Sequence, residues 1–495
     1  MPKDITFLDL NFDTALPTPV RPNKDAPKPD LSKPGPPYQW SSSQKGWVTW
    51  LSCITTLFAS FATSCYSPAA EQMSSEWGVS RVAALLGITT FCCGMGLAPM
   101  FLVPLSEIVG RKPVLVTTAV LLDIFQLCCA VTRLYSGMLV SRFFAGVGGS
   151  TFTTMVGGIV ADMYKSRERN APMALFTGSA LFRTGLGPLV CGFIAQYTTW
   201  RWVFYIQIII DGILALGLLL FFRETRGVVT LRKRAKALNE YYDRLEASGS
   251  PGVQLPSSQE QDNNNGLDQE KENFRRIRWK VAEHQERANI TTMLRISISR
   301  PFILLFIEPV LFFFSLPHLL ALASKRRLHS NLHSKSPLDH SLNNTEQTRR
   351  APLEYLEHYP GAQIVLACVE SVLLPIGLFM FGWTSEAAYG IPWIVPTIAV
   401  GISTMGIFSI YLAVFNYLAD TYGGYASSAL AAQNFCRNLM NGVFPLVGRQ
   451  LFKNLGYGPA ASLLGGVAAG LTLVPWLLVL GGRRIRRRSR LAGGV

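Results

Sequence analysis

Apolar residues in this chain fall in blocks of about 20 separated by short polar joints. That length matches an α-helix crossing about 30 Å of hydrocarbon, so the blocks read as membrane spans and not as buried core helices. Six lie in the first half, at about residues 47–69, 83–105, 114–132, 137–160, 172–198 and 202–222. A polar stretch from Arg223 to Arg300 follows, and five more spans are expected at about 302–323, 362–382, 391–415, 426–448 and 459–481. The fold class is an all-α polytopic membrane protein of about eleven spans in two bundles, the second incomplete.

Between the spans the pattern changes character. Residues 1–45 carry eight prolines between Pro17 and Pro37 and read as a disordered cytoplasmic tail. The first six-helix bundle occupies 46–222, and 223–300 is a cytoplasmic linker in which "LRKRAKALNEYYDRLE" and "QEKENFRRIRWKVAEHQER" are expected as surface helices. The second bundle covers 301–482, with a polar loop at 324–359 where a span would fit, and 483–495 is a basic cytoplasmic tail.

The formal charge of +15, set against 49% hydrophobic and 16% charged residues, sharpens this picture. The Lys and Arg residues sit between and after the apolar blocks, which marks the cytoplasmic side and speaks against nucleic acid as a partner. With the N-terminus inside, six spans return the linker to the cytoplasm. Five more would then leave "SKRRLHSNLHSK" at 324–335 and the six arginines of "RRIRRRSR" outside. One further crossing between about Leu316 and Lys325 would restore both, so a span reads as missing there. Five of the six histidines (His318, His329, His333, His340, His358) crowd the same region, as foreign or misread sequence would. A true eleven-span chain with its C-terminus outside is the alternative.

The nine cysteines all lie in apolar blocks, without zinc or disulfide-framework spacing, and read as small apolar fillers. No phosphate loop, nucleophile elbow or metal-binding His/Glu set is present, so neither an enzyme nor a cofactor nor a metal is expected.

"YSPA" at 66–69, "PLSEIVGRKPV" at 104–114, "RFFAGVGGS" at 142–150, "GLGPLVCG" at 185–192 and "TWRWVFYI" at 199–206 resemble the major facilitator superfamily. The fungal twelve-spanner drug:proton antiporters are the nearest in pattern. "IEPVLFFFSL" at 307–316, "LLPIGLFMFGWTS" at 373–385, "WIVPTI" at 393–398 and "NYLADTYGGYASSALAAQNFCRN" at 416–438 extend the likeness through the second half. The resemblance implies two six-helix bundles, and it places the absent span after "FFFSL", where the charge argument also puts it.

Candidate functional residues follow from both lines. Glu107, Gly110, Arg111 and Lys112 form the polar joint of spans two and three; the resemblance makes this loop a conformational latch, whereas a bare positive-inside signal is the plainer reading. Arg142 lies inside span four, where a guanidinium needs a partner, water or a function. The family likeness suggests proton coupling, and snorkelling to headgroups is the rival. Asp123, near the centre of span three, is a proton-site candidate or a hydrogen-bonded structural carboxylate. Glu308 opens span seven, either as a proton site or at the interface. Gly185, Gly187, Pro188 and Gly192 match a span-five motif that the resemblance associates with antiport, though Arg183 and Thr184 replace its Gly-Pro pair. Arg183, Asn434 and Arg437 are candidates for the cavity or for contacts between helices.

These readings converge on a monomeric, proton-coupled exporter of a drug, toxin or secondary metabolite. It would sit in the plasma membrane with both termini cytoplasmic and alternate access around a cavity lined by spans one, four, seven and ten. Its partners would be the small-molecule substrate, protons and the bilayer. The rival is a transport-impaired, truncated or mis-spliced relative, or a membrane sensor.

Overall fold

The computed structural model describes residues 5–12, 14, 35–165, 168–247, 253–254, 274–281, 368–385, 391–392, 394–422 and 426–488. The expected span at 302–323, Glu308 and the loop at 324–359 lie outside the described residues.

The first-half spans form eight helices: α1 (Ser42–Ser64), α2 (Tyr66–Trp77), α3 (Arg81–Leu97), α4 (Pro99–Val109), α5 (Arg111–Val131), α6 (Tyr135–Met163), α7 (Asn170–Tyr197) and α8 (Trp200–Phe221). Two spans are broken by local chemistry. The first continues from α1 into α2 across Cys65, just ahead of Pro68, and the second passes from α3 to α4 where Pro99 cannot donate a backbone hydrogen bond. Span one therefore runs on as a helical stretch from Ser42 to Trp77, beyond the expected end at residue 69. Ser41 and Ser80 cap α1 and α3 by accepting from the Gln44 and Ala83 amides.

Helix packing inside this half relies on backbone approach. A Cβ on Gly146 of α6 would strike the Phe91 carbonyl of α3, and one on Gly148 would come within 2.6 Å of the Leu122 amide of α5. Outside, α5 and α8 present Val120, Ile124, Leu127, Ile209, Ile213 and Leu216 as exposed apolar side chains, a surface suited to lipid.

Gly227–Ala247 continues the chain as α9, and the second half supplies α10 (Leu373–Thr384), α11 (Ile394–Tyr422), α12 (Ala426–Leu455) and α13 (Tyr457–Arg488). Among the described residues, seven helical stretches are long and apolar enough to cross a membrane. The halves meet where α12 lies along α3 and α4, and where α7 lies along α11. Thr89 donates to the Gly442 carbonyl at 2.9 Å, and the Phe176 and Phe415 rings are 5.5 Å apart.

The tail and the linker depart from expectation. Residues Ile5–Asp9, read as disordered, form strand β1; Val253–Gln254 forms β2; and Phe274–Lys280, read as helix, forms β3. The sheet order is β1-β3-β2, with β1 parallel and β2 antiparallel to β3. The reason is period: Ile277, Trp279 and Val281 alternate with Arg276, Arg278 and Lys280, and the apolar set packs with Leu10 against Leu238 and Tyr242 of α9. Asn239 reinforces the contact, accepting from the Trp279 amide at 2.8 Å and donating to its carbonyl at 3.1 Å.

Candidate functional site

The joint of α4 and α5 is built on Gly110, whose φ of 117° is open to glycine and strained for other residues. A Cβ there would sit 2.5 Å from Glu224 Oε2. That carboxylate follows α8 and closes on the start of α5, accepting from the amides of Arg111 at 2.9 Å and Lys112 at 3.1 Å. An anion at a helix N-terminus satisfies free donors and the helix dipole together. Glu224 also accepts from the Arg226 amide at 2.9 Å.

The Arg111 side chain, fully buried, turns the other way. Its Nη2 lies 3.2 Å from Asp162 Oδ2 at the end of α6, and its Nη1 donates to Ser106 Oγ at 3.3 Å. Arg226 Nη1 meets the second Asp162 oxygen at 3.5 Å. The loop named in the sequence thus ties α4 and α5 to α6 and to the chain after α8. Glu107 is half-buried on the last turn of α4, and Lys112 is half-buried at the start of α5.

Sequence reasoning missed Asp162, Glu224 and Arg226. Each is a charged residue just past the end of a span, and that position, on the same face as a basic joint, is the signal that could have found them.

Arg142 does not snorkel. It is fully buried, with Nη2 donating to the Ala62 carbonyl at 2.9 Å and Nε to the Gly87 carbonyl at 3.4 Å. Its guanidinium carbon lies 4.5 Å from the Phe91 ring centroid and 4.6 Å from that of Tyr66, contacts that favour a desolvated cation. Nη1 is buried and has no hydrogen-bond partner among the described residues.

Asp123 of α5 points toward α8: a Cβ on Gly212 would lie 3.9 Å from its Oδ2. The preceding residue, Asp211, is buried, and the two carboxylates lie within electrostatic reach of each other. Asp123 Oδ1 and Asp211 Oδ2 are both buried with no hydrogen-bond partner among the described residues.

The span-five motif divides. Gly187 faces α1, where a Cβ would collide with the Ser64 hydroxyl; Gly185 faces open space; and Gly192 is buried. Pro188 sits inside an unbroken α7. Arg183 reaches from α7 to α1, its Nη1 donating to the Ser60 carbonyl at 3.2 Å while Nε donates to the Ala180 carbonyl at 2.7 Å.

Across the interface, Arg437 and Asn434 of α12 form one buried network. Arg437 donates to Asn434 Oδ1, Asn438 donates to the same oxygen at 3.0 Å, and Asn434 Nδ2 donates to the Met95 carbonyl of α3 at 3.1 Å. The candidates therefore group into a charged cluster at one end of the first half, a buried Arg142 and a carboxylate pair within it, and a polar seam between the halves.

Comparison with known proteins agrees with this architecture. The family model described as Major Facilitator Superfamily matches residues 52–336. The chain is 28% identical to the MFS-type transporter paaT of Penicillium rubens, over 93% of this chain and 83% of that protein. It is also 28% identical to the efflux pump FUBT of Fusarium oxysporum, over 90% of this chain and 74% of that protein. Its fold resembles that of the proton:xylose symporter XylE of E. coli, with a TM-score of 0.57 and 15% identity over 89% of this chain and 97% of that one. A helical bundle with a polar seam between its halves and this extent of likeness has one assignment: the chain belongs to the major facilitator superfamily, as a multi-pass membrane transporter related to fungal efflux pumps.

Proposed function

We propose that this transporter exports a small organic compound from the cell in exchange for protons, acting as a monomer in the plasma membrane with both termini in the cytoplasm. Alternating access would open the seam between the halves first to one side and then to the other, with the Arg111–Asp162 latch holding one end closed in part of the cycle.

The observation that carries proton coupling is the pair Asp123 and Asp211. Two carboxylates that share a low-dielectric site cannot both ionise cheaply, so such a pair binds and releases a proton as the surrounding helices shift. Export, and not import, rests on the kinship with efflux pumps.

The test uses exporter-deficient yeast preloaded with a fluorescent tracer, either anionic fluorescein or cationic rhodamine 123. Cells expressing the chain should lose one tracer faster than control cells, and a protonophore should abolish the difference. Loss of both tracers no faster than in control cells, or faster loss that a protonophore leaves untouched, would overturn the reading.

A further inference from the structure

Arg183 and Arg437 belong to opposite halves yet converge on one place. Arg437 Cζ lies 5.5 Å from the Tyr411 ring of α11, and the two cations and the Tyr411 hydroxyl are within electrostatic reach of one another. Arg437 is only 4% exposed, and its Nε is buried without a hydrogen-bond partner among the described residues. Arg183 is half-buried. Beside it, the Ser60 hydroxyl of α1 is buried and also unpartnered among those residues. Among the described residues no Asp or Glu forms an ion pair with either arginine.

Two cations within electrostatic reach in a low-dielectric seam are costly, because Arg437 loses its hydration and the two repel. Elsewhere in this chain a buried arginine is matched by an acid, Arg111 by Asp162, whereas Arg183 donates to the Ser60 and Ala180 carbonyls and Arg437 to Asn434 Oδ1, all uncharged acceptors. At the seam, no acidic partner for Arg183 or Arg437 lies among the described residues. A guanidinium fork is shaped for a carboxylate, and two forks set apart on different bundles can grip one anion from both sides. The neighbouring Phe176, Phe415 and Tyr411 rings, successive centroids 5.5 Å apart, offer an apolar surface alongside.

We infer that the transported compound is an organic anion, a carboxylate gripped between Arg183 and Arg437 with an apolar body against Tyr411 and its neighbouring rings. The inference rests on the seam being the substrate site, as proposed above, and adds the substrate's charge. A bound anion would also cancel the repulsion between the halves, so the loaded carrier would favour closing around it while the empty one favours parting.

The test is binding to the purified full chain in detergent, followed by tryptophan fluorescence at fixed ionic strength. The probes are benzoate, benzamide and benzylammonium, which share a ring and differ in charge. Benzoate should bind at least about tenfold more tightly than the other two, and R183Q and R437Q should each lose about tenfold or more, one lost charge partner being worth at least that. R183K and R437K should retain part of the response, and K236Q, on the exposed face of α9, should retain all of it.

The comparison of three probes on the unaltered protein decides the matter even if a variant misfolds. Equal binding of all three, a preference for benzylammonium, or unchanged benzoate binding in folded R183Q and R437Q would overturn the inference. Because binding needs no proton gradient, benzoate selectivity without protonophore-sensitive tracer loss would count against proton-coupled export alone. Protonophore-sensitive loss without benzoate selectivity would count against the anion alone.

Discussion

At the scale of single residues, Arg111 shows how a charge buried at a membrane edge is made tolerable. Its side chain is 1% exposed and leans on Asp162, which is 18% exposed and also meets Arg226. Asp162→Asn would keep the shape and remove the charge that Arg111 leans on. The cost should be about 1–3 kcal/mol, below that of a wholly enclosed pair because Asp162 touches solvent. It would be read as a lower unfolding temperature in detergent, with Arg111→Ala in the Asp162→Asn background costing less than in the parent. An additive double variant would show that the pair does not couple. The loop itself was legible from "SEIVGRKPV", because glycine and adjacent cations in a short joint leave few alternatives. Asp162 and Glu224 were not, since their meeting with the loop depends on helices that end more than fifty residues away in the chain.

At the scale of elements, the long spans were readable because a run of twenty apolar residues in a membrane has few forms other than helix. The sheet built by the N-terminal segment and the linker was not. In "FRRIRWK" the arginines suggested a solvated helix face, whereas the alternation of Ile277 with Trp279 follows the period of a strand. Its partner β1 comes from the N-terminus, Ile5 pairing with Arg276, so no local window contains the pair. The sheet is tied to α9 by Arg278, which meets Glu246 at 2.8 Å and Asp243 at 2.6 Å. Hydrogen bonding from Arg278 holds the Glu246 carboxyl below its ordinary value of 4.5. A lowered folded-state pKa stabilises the fold above the unfolded value and loses that contribution as the pH falls through the folded one. Amide protection of residues 5–9, corrected for intrinsic exchange, should therefore hold steady from pH 7 to about 5 and decline at lower pH. Glu246→Gln should lower the plateau and flatten the decline. A decline of the same size in that variant would assign the pH dependence elsewhere.

At the scale of the whole molecule, charge and architecture point the same way. Arg111, Lys112, Asp162, Glu224 and Arg226 gather at one end of the first half, and Arg232 of α9 donates to the Ile108 carbonyl there at 3.2 Å. Since β1 packs on the β3 and α9 layer, the N-terminal segment is held at that same end. Basic residues concentrate on the cytoplasmic side of membrane proteins, so this end is proposed to face the cytoplasm. The same rule assigns the C-terminal "RRIRRRSR" to that side, which requires an even number of crossings and hence one more, or one fewer, than the eleven apolar blocks supply. Epitope tags before Met1 and after Val495 should both bind antibody only after the cells are permeabilised. A C-terminal tag reached in intact cells, with the N-terminal tag still shielded, would establish an odd count and remove the reason for a lost crossing between residues 302 and 359. If both tags are shielded, the paired six-helix bundles of the superfamily favour one more crossing over one fewer, and the transcript spanning residues 302–359 becomes the place to look.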